Sequence, residues 1–344
     1  MILAGDVGGT KVNLAISELR SGRPDFLVEE TYASRDFPSL DAIVSAFLAD
    51  EAVLEYREKI DAACFGIAGP VTRGRVKTTN LPWEISAAEL SRVTGIPRVH
   101  LLNDLEATAE GIAVLPPSAL VSLQAGDEEP GGTRALIAAG TGLGEAILAP
   151  TPEGYRPLAS EGGHTDFGPR NETEIRLLQH LLRKYDHVSY ERVLSGPGLV
   201  NIYEFLLADG ASETPGVRAR IEAAGDPAAV ISTLGLMSAC RVCRRALELF
   251  VGIYGAEAGN LALKAKATGG LYLGGGIAPK IRELLTEELF LGPFLAKGRM
   301  RPLLERIPVR LILEPKTALL GAAAAAFRSA AIGARGLLSP VEEA

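Results

Sequence analysis

The stretch Val99-His100-Leu101-Leu102-Asn103-Asp104 decides how the rest of the sequence is read. Val99 to Leu102 is an apolar run of the kind that forms a buried strand, and it stops abruptly on an amide and a carboxylate. A helical pattern follows from Leu105 through Ala113. In α/β sheets, ligands gather at the carboxyl ends of strands, so Asn103 and Asp104 stand where polar side chains can meet a substrate. The competing reading makes Asp104 a helix N-cap, a role that Asp commonly fills.

Upstream, two strand-like runs, Ile2 to Ala4 and Val12 to Ile16, flank Gly5-Asp6-Val7-Gly8-Gly9-Thr10-Lys11. Gly8-Gly9 predicts a tight hairpin with positive φ at its centre. Asp6, Gly8, Gly9 and Thr10 together offer unshielded N–H groups, a hydroxyl and a carboxylate, the parts needed to approach phosphates and hydrated Mg²⁺. Lys11 is preceded by Thr10, not Gly, so this is no Walker A loop. Downstream, Ala135 to Ala138 runs into Ala139-Gly140-Thr141-Gly142-Leu143-Gly144, and Ala146 to Leu148 returns. That repeats the N-terminal strand–glycine turn–strand. The Rossmann fingerprint fails because Glu145 stands where its last glycine is required.

Between and beyond these hairpins lie other landmarks. Leu40, Ile43, Val44, Phe47 and Leu48 have helical spacing behind Ser39 as cap, and Ala62 to Ala68 reads as a buried strand. Thr78 to Trp83 holds the only tryptophan, read as a wall of the cleft in preference to a merely packed loop. Ser160-Glu161-Gly162-Gly163-His164-Thr165-Asp166-Phe167 gathers ionisable groups in a glycine-containing turn. Asn171 and Glu174 predict a capping box for a helix carrying Ile175, Leu178, Leu181 and Leu182. His180 and His187 read as surface or packed histidines. Glu191 opens a second turn-rich segment, Glu191 to Gly198. Cys240 and Cys243 are read as core, since no second pair completes a zinc site. Strand 271–273 leads into Gly274-Gly275-Gly276, where backbone could lie against a flat nucleobase, with a helix through Leu284 starting towards phosphate. Val309 to Leu313 is a strand, and Leu319 to Phe327 an alanine-rich helix of close packing.

Composition narrows the classes. A chain of 344 residues suits two lobes. A net charge of −7 argues against a nucleic-acid partner, and three cysteines fit a reducing compartment. The N-terminus reads as a strand rather than a signal peptide. The longest apolar run, Ala318 to Phe327, is too short to span a bilayer. The expectation is therefore a cytoplasmic protein with no membrane partner.

With GDVGGTK (5–11), LLNDLEA (101–107), AAGTGLG (138–144), SEGGHTDF (160–167), ERVLSGPG (191–198) and LGGGIAP (273–279) in this order, the sequence resembles the bacterial glucokinase family of the actin-like ATPase and sugar-kinase superfamily. The resemblance implies a two-lobed α/β fold, actin-like (ribonuclease H-like), with a mixed central sheet in each lobe and the active site in the interdomain cleft. A small lobe would span 1–105 plus 320–344 and a large lobe 106–319. It implies Asp104 as catalytic base, with Asn103, Glu161, His164 and Glu191 also binding the hydroxyls of glucose. Gly5, Asp6, Gly8, Gly9, Thr10, Lys11, Gly140, Thr141 and Gly142 would hold the ATP phosphates, Gly275 and Gly276 would border adenosine, and Asp6 would meet Mg²⁺ through water. The related repressor–kinase branch has a cysteine-rich zinc cluster after its Gly-His segment. None follows His164, so no zinc is expected. The alternatives are a kinase for mannose, fructose or an N-acetylhexosamine, and a non-catalytic sugar- or ATP-sensing protein on the same fold.

Overall fold

A computed structural model describes residues 1–78, 81–152 and 154–336. Thr79 and Asn80 of the tryptophan segment, and residues 337–344 of the expected small lobe, lie outside the described residues. The chain divides into two compact units. The first comprises Met1–Pro117, Glu153–Pro157 and Glu314–Ala344, the second Ser118–Pro152 and Leu158–Leu313.

The first unit carries β1 (Ile2–Val7), β2 (Lys11–Arg20), β3 (Arg23–Ala33), β4 (Ala62–Ile67), β5 (Arg75–Lys77), β6 (Glu84–Ser86) and β7 (Val99–Asn103). Its five-stranded sheet has the order β3-β2-β1-β4-β7, with β5 and β6 paired separately. The first three strands run as antiparallel neighbours, while β1, β4 and β7 are mutually parallel. One face packs on the helix Leu40–Leu48, whose Leu40, Ile43, Val44, Phe47 and Leu48 are buried, with Ser39 capping it through Ala42 N–H. The other face meets Leu319, Ala322, Ala323 and Ala326 of the helix Thr317–Gly336. Small residues let that helix come close: a Cβ on Gly321 would lie 1.8 Å from the Ala107 carbonyl, and one on Gly111 would lie 2.1 Å from that of Thr317. Trp83 is buried in the first core, so it packs a loop there rather than standing open to solvent.

A six-stranded sheet carries β8 (Leu120–Gln124), β9 (Arg134–Ala139), β10 (Leu143–Thr151), β11 (Gly154–Ser160), β12 (Gly270–Gly274) and β13 (Val309–Ile312), in the order β11-β10-β9-β12-β13-β8; it belongs to the second unit except for the start of β11, up to Pro157, which is grouped with the first. An antiparallel hairpin followed by two parallel strands thus recurs: β2-β1-β4-β7 in one unit, β10-β9-β12-β13 in the other. The duplication seen in the glycine turns therefore extends to sheet topology. The core of this unit is built around the helix Arg241–Ala265, with Phe250 and Tyr254 fully buried. Cys240 caps that helix, its Sγ accepting from Cys243 N–H, and both thiols are free and buried.

Two local expectations are corrected. In the helix Glu172–Leu181, Asn171 accepts from Glu174 N–H, but the Glu174 carboxylate turns to Arg170, taking its N–H and guanidinium, so the capping box is only half made. Its buried face is Leu177 and Leu181, while Ile175 and Leu182 are exposed. The segment after Gly276 is a 3₁₀ stretch, Ala278–Leu284, broken at Ile281 rather than a regular α-helix, so it sums no long helix dipole towards phosphate.

Candidate active site

Parallel register gathers the polar groups of the first unit. Val7 pairs with Ile67, and Ile67 with Asn103, so the Gly8–Thr10 turn and the Asn103–Asp104 pair leave the same edge of the sheet. Asn103, not Asp104, is the N-cap: its Oδ1 accepts from Leu105 N–H at 2.9 Å, and Glu106 completes a capping box by accepting from Asn103 N–H. Its amide nitrogen donates to the Gly69 carbonyl at 3.0 Å. Asp104 is the first helical residue, with its side chain exposed. Gly66 lets this helix start press on β4, since a Cβ there would meet Ala107 at 2.7 Å. Desolvation by surrounding protein raises the Asp104 carboxyl above its ordinary value, and the charge of Asp6 adds to it, while the Leu105 N–H pulls the other way. Desolvation likewise raises Asp6, against the hydrogen bond from Asn13 Nδ2 and the charge of Lys11.

The first hairpin is wider than the predicted tight turn. Val7 faces Val12, Gly8 N–H donates to the Lys11 carbonyl, and neither Gly8 nor Gly9 has a positive φ. Ser34 ties it from outside, its hydroxyl donating to the Gly8 carbonyl and its N–H to that of Thr10. Thr10 and Lys11 are exposed.

In the second unit the same logic holds. Leu143 faces Ala139, leaving Gly140, Thr141 and Gly142 as the turn, and Ala138 faces Gly274, which brings the triple glycine to the same edge. Gly275 has φ +79°, and a Cβ there would lie 2.3 Å from the Ala139 carbonyl, so only glycine fits. Gly276 faces open space.

Glu161, His164 and Glu191 come together beside this hairpin. Glu161 and His164 flank the 3₁₀ turn Gly162–His164, with 4.0 Å between carboxylate and imidazole, both side chains exposed. The two glycines are demanded by close approach to β10: a Cβ on Gly163 would lie 2.0 Å from the Leu143 carbonyl, and one on Gly162 2.0 Å from the Glu145 carboxylate. Glu191 is pinned at both ends. Its carbonyl accepts from Ser195 Oγ at 2.7 Å, and its carboxylate accepts from Leu143 N–H at 3.0 Å. A Cβ on Gly142 would lie 2.5 Å from that carboxylate. Backbone bonds from Phe167 to Val188 and from Tyr190 to Thr165 hold the two turns together.

Sequence reasoning missed one neighbour. His187 is a surface histidine, as its sequence context suggests, but it hydrogen-bonds Asp166 at 2.8 Å and lines a polar pocket with His164, Tyr185, Glu191 and Arg192. Its spacing from any motif residue carries no signal, because the β-bridge between Asp166 and Ser189 is what brings it there. His180 packs edge-on against Phe205.

Among the described residues no three His, Cys, Asp or Glu side chains group as metal ligands. The Asp6 carboxylate is a hard oxygen donor, which suits Mg²⁺ held mainly by water and phosphate.

A family model described as Glucokinase matches residues 3–329. Glucokinase of Nostoc sp. is 45% identical over 342 residues, covering 95% of this chain and 99% of its own. The crystal structure of glucokinase from an Antarctic psychrotroph superposes with a TM-score of 0.82 at 31% identity, covering 95% of this chain and 98% of that one. That of glucokinase from Balamuthia mandrillaris in complex with glucose has a TM-score of 0.74 at 23% identity, covering 95% and 93%.

Proposed function

The chain belongs to the glucokinase family, and from that premise we propose that it transfers the γ-phosphoryl group of ATP to the 6-hydroxyl of glucose, giving glucose 6-phosphate and ADP. The observation that carries the reading is the tie between Glu191 and Leu143 N–H, which joins a polar cluster fit for sugar hydroxyls to a glycine hairpin fit for phosphates. We assign the small lobe and its hairpin, Gly5 to Lys11, with Asn103 and Asp104 to one half of an actin-like ATPase fold. The large lobe, with Gly140 to Gly142, Glu161, His164, Glu191, Gly275 and Gly276, makes the other.

Asp104 accepts the proton of the 6-hydroxyl as that oxygen approaches the γ-phosphorus. A carboxylate is too weak to ionise an alcohol beforehand, so it orients the hydroxyl and takes the proton as the bond forms, a contribution of about 10²–10⁴-fold. The upward displacement of its pKa moves it towards a better base. Asn103, Glu161, His164 and Glu191 pair with the other hydroxyls and disfavour sugars that would leave them unpaired. The N–H groups of the two hairpins receive the phosphates, and Gly276 leaves room for a flat base. Mg²⁺, held by Asp6 through water, would neutralise phosphate charge when bound. Three free, buried thiols support work in the reducing cytoplasm, with a homodimer as the assembly to be read by light scattering.

The test is ADP release from ATP across a panel of glucose, mannose, fructose and N-acetylhexosamines. Glucose should give the highest kcat/KM. Preference for another hexose would move the assignment to that sugar, and ATP turnover indifferent to sugar, or absent, would overturn the kinase reading.

A further inference from the structure

Glu145, on β10, is 1% exposed, and Glu257, on the helix Arg241–Ala265, is 0% exposed. Their carboxyl groups lie within hydrogen-bonding reach of each other. Two desolvated carboxylates in contact repel strongly unless a proton lies between them. Glu257 already has donors, Asn260 Nδ2 at 2.7 Å and Lys264 Nζ at 3.2 Å. Glu145 Oε1, by contrast, is buried without a donor among the described residues. Its other oxygen, Oε2, lies so close beneath Gly162 that a Cβ there would come within 2.0 Å of it. The Glu145 carboxyl is therefore part of the floor on which the Glu161–His164 turn rests.

We infer that Glu145 keeps a proton that it donates to the Glu257 carboxylate and that this contact seats the Gly162–His164 turn, so that Glu145 is a positioning residue for the hydroxyl-binding side chains Glu161 and His164. The inference rests on the sugar-binding reading above. With the proton in place, Glu145 donates to Glu257 and its remaining oxygen lies quietly against Gly162. When the proton passes to bulk water, two charges face each other in a buried site, and the carboxylate nearest the turn is the one left without a partner. Facing the pair are Tyr254, Asn260 and Lys264 from the long helix, Tyr190 from the turn that bears Glu191, and Lys297, whose amine donates to the Ala256 carbonyl and Asn260. The charges of Arg170 and Glu174 act on Lys297, and that of Arg170 on Tyr190. Burial, then the charge of Glu257, push the Glu145 carboxyl up to about 8, against the pull of Lys264.

The experiment compares the full chain with Glu145→Gln, whose amide donates at every pH, by glucose KM, ATP KM and kcat between about pH 7 and pH 9.5, with calorimetric titration of glucose. In the unaltered chain glucose KM should rise about threefold or more over that span, with ATP KM and kcat moving less; in Glu145→Gln glucose KM should stay flat. Glu257→Gln supplies the same donor from the other side and should also flatten the profile, which keeps the test open should the first variant fold poorly. Parallel glucose KM profiles in all three proteins, or a pH effect confined to thermal stability, would overturn the seating role. Absence of glucose-dependent turnover in the unaltered chain at neutral pH would instead overturn the functional reading itself.

Discussion

At the scale of single residues, Asn103 and Asp104 divide two tasks between neighbours. Asn103 makes a structural bond from each end of its amide, Oδ1 accepting from Leu105 N–H and Nδ2 donating to the Gly69 carbonyl. Asn103→Ala should therefore cost about 1 kcal/mol of stability by loss of the cap, readable as a lowered Tm, besides whatever it removes from sugar affinity. Asp104 follows as the first residue of the helix and shares the Leu105 N–H with the cap, its Oδ1 accepting at 2.9 Å, which orients the carboxylate at the strand end. Asp104→Ala should lower kcat by about 10²-fold or more while calorimetry still detects glucose binding. Near-normal turnover would remove it from the mechanism. Glu191 differs because its carboxylate also holds Leu143 N–H at the second hairpin. Glu191→Ala should raise KM for both glucose and ATP, and an effect on glucose alone would contradict that double role.

At the scale of elements, close approach of backbones places the functional groups. The helix Asp104–Ile112 is pressed between β4, through Gly66, and the helix Thr317–Gly336, through Gly111 and Gly321. A methyl group at Gly321 would meet the Ala107 carbonyl, so Gly321→Ala should cost about 1–3 kcal/mol by overpacking. Because the displaced helix begins at Asp104, the substitution should also lower kcat in the protein that remains folded. An unchanged Tm would show that the helix pair can shift without strain. Not every element announces itself in the sequence. β3, Arg23–Ala33, is an edge strand with charged side chains and no fully buried position, and its pairing with β2 slips at Ile16/Ser17, so the alternation that marks a strand is lost.

For the molecule as a whole, buried carboxyls set the dependence of stability on pH. The Glu145 acid is raised from an ordinary 4.5 to about 8 in the folded chain. A group raised in this sense contributes stability that is fully present below its unfolded value and is lost as pH climbs through the folded one. Tm should therefore fall between about pH 4.5 and about pH 8 and level off above that, and less so in Glu145→Gln. A Tm as flat in the unaltered chain as in the variant would contradict the shift. Glu128 acts in the opposite direction: burial works against its charge, but Arg310 and Arg134 outweigh burial and hold its carboxyl low, so its contribution fades as pH falls. Among the described residues no helix is long and apolar enough to cross a membrane.

Local pattern alone determined the two glycine hairpins, the strand that ends at Asn103, the Ser39-capped helix and the order of the motifs, because periodicity, turn chemistry and spacing are properties of neighbours along the chain. Tertiary structure decided the rest. Which of Asn103 and Asp104 caps the helix depended on where Gly69 lies, and His187 joined the polar pocket only through the pairing of Asp166 with Ser189. Glu145, met in the sequence as the residue that spoils a dinucleotide fingerprint, faces Glu257 from 112 positions away because β10 and the long helix pack together in one core. Burial and charge between such distant residues have no trace in local sequence, since the energy arises only once folding has removed the water between them.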